Sequence, residues 1–95
     1  MPSPVSLESP VSTNDDVLFQ ELHGEGVLLN LKTGVYFGLD PIGRRVWELL
    51  QEHRTLASVR AAMLAEYDVE EARCTTDLLA LVGELEQHGL VKIGS

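Results

Sequence analysis

The sequence has few of the residues that build chemical sites or cross-link a small chain. Its 95 residues contain a single cysteine, Cys74, and 3 histidines. One cysteine cannot close an intramolecular disulfide, and no Cys and His residues recur at the spacing of metal ligands. There is also no signal-peptide pattern at the N-terminus and no run of about 18 apolar residues that could span a membrane. These absences predict a cytoplasmic protein with no metal site, no cofactor and no membrane association.

Positive charge is scarce as well. Lysine and arginine together number 7 against 15 acidic residues, which gives a formal net charge of -8. An acidic chain repels the phosphates of nucleic acids and the anionic surface of membranes, so neither is an expected partner. At 95 residues the chain is shorter than a typical domain of about 150 residues, which predicts a single core.

None of the common catalytic arrangements occurs in the sequence. Gly24, Gly26 and Gly34 match neither the dinucleotide-binding nor the P-loop spacing. Cys74 lies in the middle of an apolar helical stripe, where a packing role is favoured over that of a nucleophile. Aromatic residues make up only 5% of the chain, so Leu, Val and Ala must form most of the core. The sequence therefore predicts a protein that is not an enzyme and has no catalytic residues.

The N-terminal segment differs in composition from the rest. Residues 1–14 are rich in Ser, Pro, Thr and Val and carry one charge, too few apolar groups to offset the entropy of ordering. We expect a flexible N-terminal arm over residues 1–14 and a folded domain over residues 15–95. The alternative is that the arm docks on another protein.

Alternating apolar residues predict three strands. The first covers residues 17–22, and a hairpin follows with strands at residues 27–31 and 35–39. A three-residue loop ending at Gly34 would pair Leu29 with Phe37, and Val27 with Leu39. We predict this register because it collects the alternating apolar residues on one face.

Helical periodicity begins after the third strand. Asp40-Pro41 is typical of a helix start, Thr55 is a favourable cap for a second helix, and Asp68 with Glu71 resembles a capping box for a third. Gly89 should end the third helix, and residues 90–93 suit a short closing strand. Strands followed by helices indicate the α+β class.

Two features favour binding over catalysis. The third helix has a broad uncharged stripe around Cys74, Leu78 and Leu81, with Asp77 at its margin. The third strand, residues 35–39, contains no charge, and an uncharged edge strand tends to recruit a further strand. The alternative is that the leucines of the third helix are all core residues.

The residues from the hairpin onward resemble the PqqD family, the recognition elements of ribosomally made, post-translationally modified peptides (RiPPs). The similarity covers roughly residues 16–93. The stretches that carry it are Val27-Leu28-Leu29-Asn30-Leu31-Lys32-Thr33-Gly34-Val35-Tyr36-Phe37-Gly38-Leu39-Asp40, Gly43, Trp47-Glu48-Leu49-Leu50, Thr55, Tyr67 to Val69 and Asp77-Leu78-Leu79.

The resemblance implies a winged helix-turn-helix-like domain, with a three-stranded antiparallel sheet followed by three helices and no catalysis of its own. Members of the family bind the leader of a precursor peptide as an added antiparallel strand, between the third strand and the third helix. The peptide-binding residues implied for this chain are Val35, Tyr36, Phe37, Gly38, Leu39, Cys74, Asp77, Leu78 and Leu81.

Within the family, a chain of this size is similar to the stand-alone leader-binding subunit of lasso-peptide biosynthesis. The implied partners are the precursor leader peptide, a leader-cleaving cysteine protease and an ATP-dependent macrocyclase. A peptide carrier for a radical-enzyme pathway would share the fold. An interaction subunit without a peptide ligand is another alternative. A winged-helix DNA-binding regulator is disfavoured, because residues 70–86 contain five acidic residues and only Arg73 as a basic one.

Overall fold

Three helices follow a strand-rich first half in the structure, a computed structural model that describes residues 7–94. The elements, in chain order, are β1 (Val11–Thr13), β2 (Val17–Leu22), β3 (Glu25–Asn30), β4 (Tyr36–Leu39), α1 (Pro41–Glu52), α2 (Leu56–Glu66), α3 (Glu71–Gln87) and β5 (Val91–Ile93). The α+β prediction is confirmed, since β2, β3 and β4 form an antiparallel sheet and α1 to α3 come after it.

The hairpin forms where the sequence predicted it, but its register is shifted by one residue. Leu28 pairs with Phe37 and Leu29 with Tyr36, whereas we expected Leu29 to face Phe37. The inner face therefore carries Leu28, which is fully buried, and Leu29 lies on the outer face. Since side chains alternate along a strand, this shift moves the predicted apolar residues of β3 to the outer face, whereas Phe37 and Leu39 of β4 stay on the inner face.

Asn30 explains the register. Its side chain is 5% exposed, and its Nδ2 donates to the carbonyl oxygen of His88 at 2.9 Å. Its Oδ1 accepts from the backbone N–H of Lys32 at 2.9 Å and from that of Thr33 at 3.3 Å. A buried amide is stable only with such partners. The loop therefore has four residues, and Gly34 within it has a φ of +73°, which glycine adopts at low cost.

The N-terminal segment is part of the fold where the structure describes it, so the domain begins earlier than predicted. Strand β1 pairs with β5, and the side chain of Val11 is 6% exposed. The backbone N–H of Val11 donates to the carbonyl oxygen of Arg54 at 2.8 Å, and Ala57 donates likewise to Leu7 at 2.8 Å. The first six residues of the predicted arm lie outside the described residues.

Caps set the helix boundaries. The Asp40 carboxylate accepts from the backbone N–H of Gly43 at 2.6 Å, and the Thr55 hydroxyl accepts from that of Ser58 at 3.3 Å. Both predicted caps are confirmed. The capping box at Asp68 was wrong, because α3 begins two residues later with Glu70 as its cap and without a side-chain hydrogen bond. Gly89 ends α3 with a φ of +72°, as predicted.

The core lies between the inner face of the β2-β3-β4 sheet and the three helices. Its fully buried side chains, with under 2% exposure, are Leu28, Leu49, Leu56, Val59, Val82, Leu85 and Leu90. None of the helices within residues 7–94 has the length and hydrophobicity that a membrane span requires. The described part of the chain also contains no group of three His, Cys, Asp or Glu side chains placed to hold a metal ion.

Candidate functional site

Strand β4 has an open edge. The backbone N–H of Asn30 donates to the carbonyl oxygen of Val35 at 2.9 Å. Backbone groups alternate in direction along an antiparallel strand. The backbone groups of Phe37 therefore also bond to β3, whereas the N–H and C=O groups of Tyr36 and Gly38 point away from β3. Within residues 7–94, β4 has β3 as its sole strand partner. The free groups of Tyr36 and Gly38 can therefore bond to an incoming strand.

The side chains of this strand have different surroundings. Tyr36 is 62% exposed, and a Cβ added to Gly38 would meet no heavy atom within 4 Å. Phe37 packs partly against the core, with its ring centroid 5.4 Å from that of His88. Leu39 is 5% exposed and belongs to the core. Leu39 pairs with Gly26, so its backbone groups, like those of Phe37, point to β3. Of the predicted strand residues, Leu39 thus offers an incoming peptide neither its side chain nor its backbone.

An apolar cavity of about 210 Å³ lies among the three helices. All four α3 residues that were predicted to bind the peptide line this cavity. Cys74 and Leu78 form its buried walls, with 8% and 4% exposure, and Leu81 is partly buried beside them. The complete lining is Ile42, Val46, Met63, Tyr67, Val69, Arg73, Cys74, Asp77, Leu78 and Leu81.

The rim of the cavity is charged, but its charges are paired. The Nε of Arg73 lies 3.6 Å from a carboxylate oxygen of Asp77, and both side chains are largely exposed. Asp77 was expected to give this margin a negative charge. Its pairing with Arg73 reduces the net charge that an approaching ligand meets there.

The cavity lies close to the end of β4, although no β4 residue lines it. Ile42 follows Leu39 by three residues and is 46% exposed at the cavity wall, and Val69 from the α2–α3 loop is 48% exposed. Neither Ile42 nor Val69 was predicted to be a site residue. A partly exposed apolar residue in the first turn of a helix, as at Ile42, is the signal that could have indicated it. We find no such signal for Val69 between its acidic neighbours.

An ion pair links α1 and α2, two of the helices that form the cavity. The Arg45 guanidinium of α1 donates two hydrogen bonds of 2.7 Å to the Glu66 carboxylate at the end of α2. This bonding lowers the pKa of Glu66 below its usual value and raises the pKa of Arg45 above its own. Both groups stay charged at neutral pH, and the bidentate contact keeps the end of α2 beside α1. Tyr67, the next residue, is thereby held at the cavity.

A sequence model described as "Coenzyme PQQ synthesis protein D (PqqD)" matches residues 25–91. The chain belongs to the PqqD family. This confirms the family inferred from the hairpin and helix residues. None of the curated proteins matches the chain significantly.

Two solved structures resemble this PqqD-family chain. One is TbiB1 in complex with the TbiA(beta) leader peptide, with 36% identity, a TM-score of 0.77, and coverage of 85% of this chain and 94% of that chain. The other is lasso peptide synthetase B1 complexed with the leader peptide, with 23% identity, a TM-score of 0.76, and coverage of 87% and 98%. At 23% identity, the second similarity concerns the fold alone.

Proposed function

We propose that this chain is a non-catalytic protein that binds the leader of a ribosomally synthesised precursor peptide as a strand added to β4. The observation that carries the proposal is the uncharged free edge of β4 near an apolar cavity. The 36% identity with TbiB1, a protein solved with a leader peptide, supports it. The chain would then deliver the leader to a leader-cleaving cysteine protease and an ATP-dependent macrocyclase in lasso-peptide maturation. We infer a cytoplasmic location because the precursor is made on ribosomes.

Backbone and side chains would share the recognition. The outward N–H and C=O groups of Tyr36 and Gly38 provide hydrogen bonds, each contributing about 0.5–1.5 kcal/mol. The cavity beside Leu78 and Leu81 offers an apolar site for a peptide side chain, and burying one leucine-sized side chain contributes about 1.5–3 kcal/mol. Backbone bonds would supply affinity for any strand, and the cavity would select among sequences.

A second candidate is a peptide carrier for a radical-enzyme pathway, which the PqqD family match favours. It uses the same β4 edge and the same cavity, and it differs in the enzyme that receives the peptide. A test with both kinds of enzyme separates the two functions. Transfer of the leader to a radical enzyme, without stimulation of a leader protease, would favour the carrier.

Gly38→Pro tests strand addition directly. Proline removes the outward N–H of residue 38, which the pairing of β4 with β3 does not use. We expect the Kd for the leader to rise at least tenfold. The measurement is fluorescence anisotropy with a fluorescein-labelled synthetic leader of the precursor encoded beside this chain.

Gly38→Ala is the matched control. It retains the N–H, and the added Cβ meets open space, so leader affinity should stay within about twofold of wild type, well below the 1.4 kcal/mol that a tenfold change represents. Circular dichroism establishes that both variants fold. Equal affinities of folded Gly38→Pro and wild type would overturn the assignment of the β4 edge. Absence of binding by the wild-type chain would overturn the proposed function.

A further inference from the structure

Two arginine side chains link the three helices around the apolar cavity. Arg45 of α1 donates from its Nε and Nη2 to the two carboxylate oxygens of Glu66 at the end of α2. Arg60 of α2 donates from its Nη1 to the Thr75 hydroxyl of α3 at 3.0 Å. The same Nη1 lies 3.6 Å from a carboxylate oxygen of Glu71 in the first turn of α3. One link therefore joins α1 to α2, and the other joins α2 to α3.

Neither arginine lines the cavity, but each binds a neighbour of a residue that does. At the α1–α2 link, Glu66 directly precedes the lining residue Tyr67. At the α2–α3 link, Thr75 directly follows the lining residue Cys74. A shift of either linked residue therefore moves part of the cavity wall with it.

The segment between the two links, residues 67–70, supplies Tyr67 and Val69 to the cavity wall. Val69 is half exposed, and α3 begins after Glu70 without a side-chain cap. The residues that flank the segment, Glu66 and Glu71, are the carboxylates that the two arginines contact. The arginines thus fix both ends of a short segment that forms one side of the cavity.

We propose that Arg45 and Arg60 are positioning residues for leader recognition, which hold the segment 67–70 at the spacing that lets the cavity discriminate between leader side chains. The inference rests on the proposed function and assigns part of its sequence selectivity to two residues outside the cavity lining. Strand addition does not depend on them, because β4 is held by its pairing with β3.

The geometry of the Arg45 link favours positioning over stabilisation. The side chains of Arg45 and Glu66 are 31% and 35% exposed, and an ion pair that water reaches contributes little to the free energy of unfolding. A bidentate contact between guanidinium and carboxylate nevertheless fixes the distance and the relative orientation of two planar groups. Arg45 also lies 3.0 Å from the carboxylate of Glu48, so its guanidinium is held from two sides.

A fixed wall makes an apolar cavity selective. When a side chain that fills such a cavity is shortened, contacts are lost to the extent that the wall cannot close on the space left behind. A wall that moves closes on a smaller side chain and recovers part of those contacts. Loss of a link should therefore reduce the difference in affinity between leaders and leave strand addition in place.

Arg45→Met tests the proposal with two leader peptides. The first is the fluorescein-labelled synthetic leader of the precursor encoded beside this chain. The second has alanine at the apolar position whose replacement weakens binding to the wild-type chain most. We expect the wild-type chain to bind the alanine leader with a Kd at least about tenfold higher, measured by fluorescence anisotropy. In Arg45→Met this ratio should fall below about threefold, and the Kd for the alanine leader should stay within about twofold of its wild-type value.

Matched variants separate positioning from charge. Arg54→Met makes the same change at an exposed position outside the cavity lining, and it should keep the wild-type ratio. Arg45→Lys keeps the charge but cannot form the bidentate contact, so its ratio should lie between those of wild type and Arg45→Met. Arg45→Glu combined with Glu66→Arg restores a guanidinium–carboxylate pair and should bring the ratio back to at least about fivefold. Arg60→Met should lower the ratio less than Arg45→Met does, because the contact of Arg60 with Glu71 is longer.

The outcomes distinguish this inference from the proposed function. A wild-type ratio in both Arg45→Met and Arg60→Met, with folding established by circular dichroism, would overturn the positioning role and leave leader binding intact. A lower Tm with an unchanged ratio has the same consequence, because it is the result of links that only stabilise the fold. A wild-type chain that binds every alanine leader equally well would overturn selection by the cavity and this inference with it. Failure of the wild-type chain to bind the leader would instead overturn the proposed function.

Discussion

The two edges of the three-stranded sheet differ in how they meet an incoming strand. On the β2 edge, Glu21 is on the inner-face side of the strand, and Arg44 of α1 lies 3.1 Å from its carboxylate. The Arg44 guanidinium also lies 5.4 Å from the centre of the Phe19 ring. On the β4 edge, residues 35–39 include no charged side chain.

This difference explains how a small sheet can accept an added strand at one edge and exclude it from the other. An inward-pointing charge is a recognised protection of an edge strand, because a strand added there would have to cover the charge. Glu21 gives β2 that protection, and Arg44 compensates its charge in the folded chain. The β4 edge lacks such a guard, so strand addition is directed to the side near the apolar cavity.

Replacing Asn30 should destabilise strand β4 far more than strand β2. Asn30→Leu leaves the His88 carbonyl and the Lys32 and Thr33 N–H groups without their side-chain partner. We expect a loss of about 2–3 kcal/mol in the free energy of unfolding, equivalent to a fall in Tm of roughly 10–20 °C. Calorimetry measures the loss, and amide hydrogen exchange locates it.

The pattern of amide hydrogen exchange in Asn30→Leu shows whether Asn30 stabilises β4 more than β2. Amides of β4 should lose protection first in Asn30→Leu, because the hairpin loop that sets their register is gone, and amides of β2 should follow only with global unfolding. Equal loss of protection in the two edge strands would contradict the view that Asn30 fixes β4 specifically.

Glu21→Leu should make the β2 edge resemble the β4 edge. Removing the carboxylate leaves Arg44 without this partner and makes β2 free of charge from Val17 to Leu22. We expect concentration-dependent self-association through β2, detected by sedimentation velocity at concentrations where wild type stays monomeric. Glu84→Leu removes the same charge from an exposed position of α3 and serves as the control. A monomeric Glu21→Leu would show that Glu21 does not guard the edge.

Local signals in the sequence were sufficient for the caps of α1 and α2, for the end of α3 and for the existence of strands β2 to β5. Asp40, Thr55 and Gly89 act through atoms a few residues away, so their roles follow from the chain itself. The hairpin register did not follow, because Asn30 is held by the His88 carbonyl, 58 residues along the chain. Strand β1 was not predicted for the same reason: it depends on a distant partner, because Val11 is ordered by pairing with β5 at the other end of the chain.

The candidate site was predictable to a similar extent. The α3 residues Cys74, Asp77, Leu78 and Leu81 were placed together by helical periodicity, and the structure brings all four to one cavity. Ile42 and Val69 come from α1 and a loop. Their positions at the cavity depend on how the helices pack against one another, which periodicity along one helix does not contain.

Charge at the rim of the cavity should contribute the smallest effect. Asp77 attracts basic leader residues, but its pairing with Arg73 already offsets part of its charge. We expect Asp77→Lys to raise the Kd for the leader about threefold or less, in line with the small energies of exposed ion pairs. The effect should vanish near 1 M salt, where the screening length falls to about 3 Å. Glu84→Lys, with the same change of charge outside the cavity lining, provides the control. A loss above tenfold that persisted at high salt would mean that Asp77 contacts the peptide directly, and the selective role of the β4 edge and apolar cavity would then be shared with the rim.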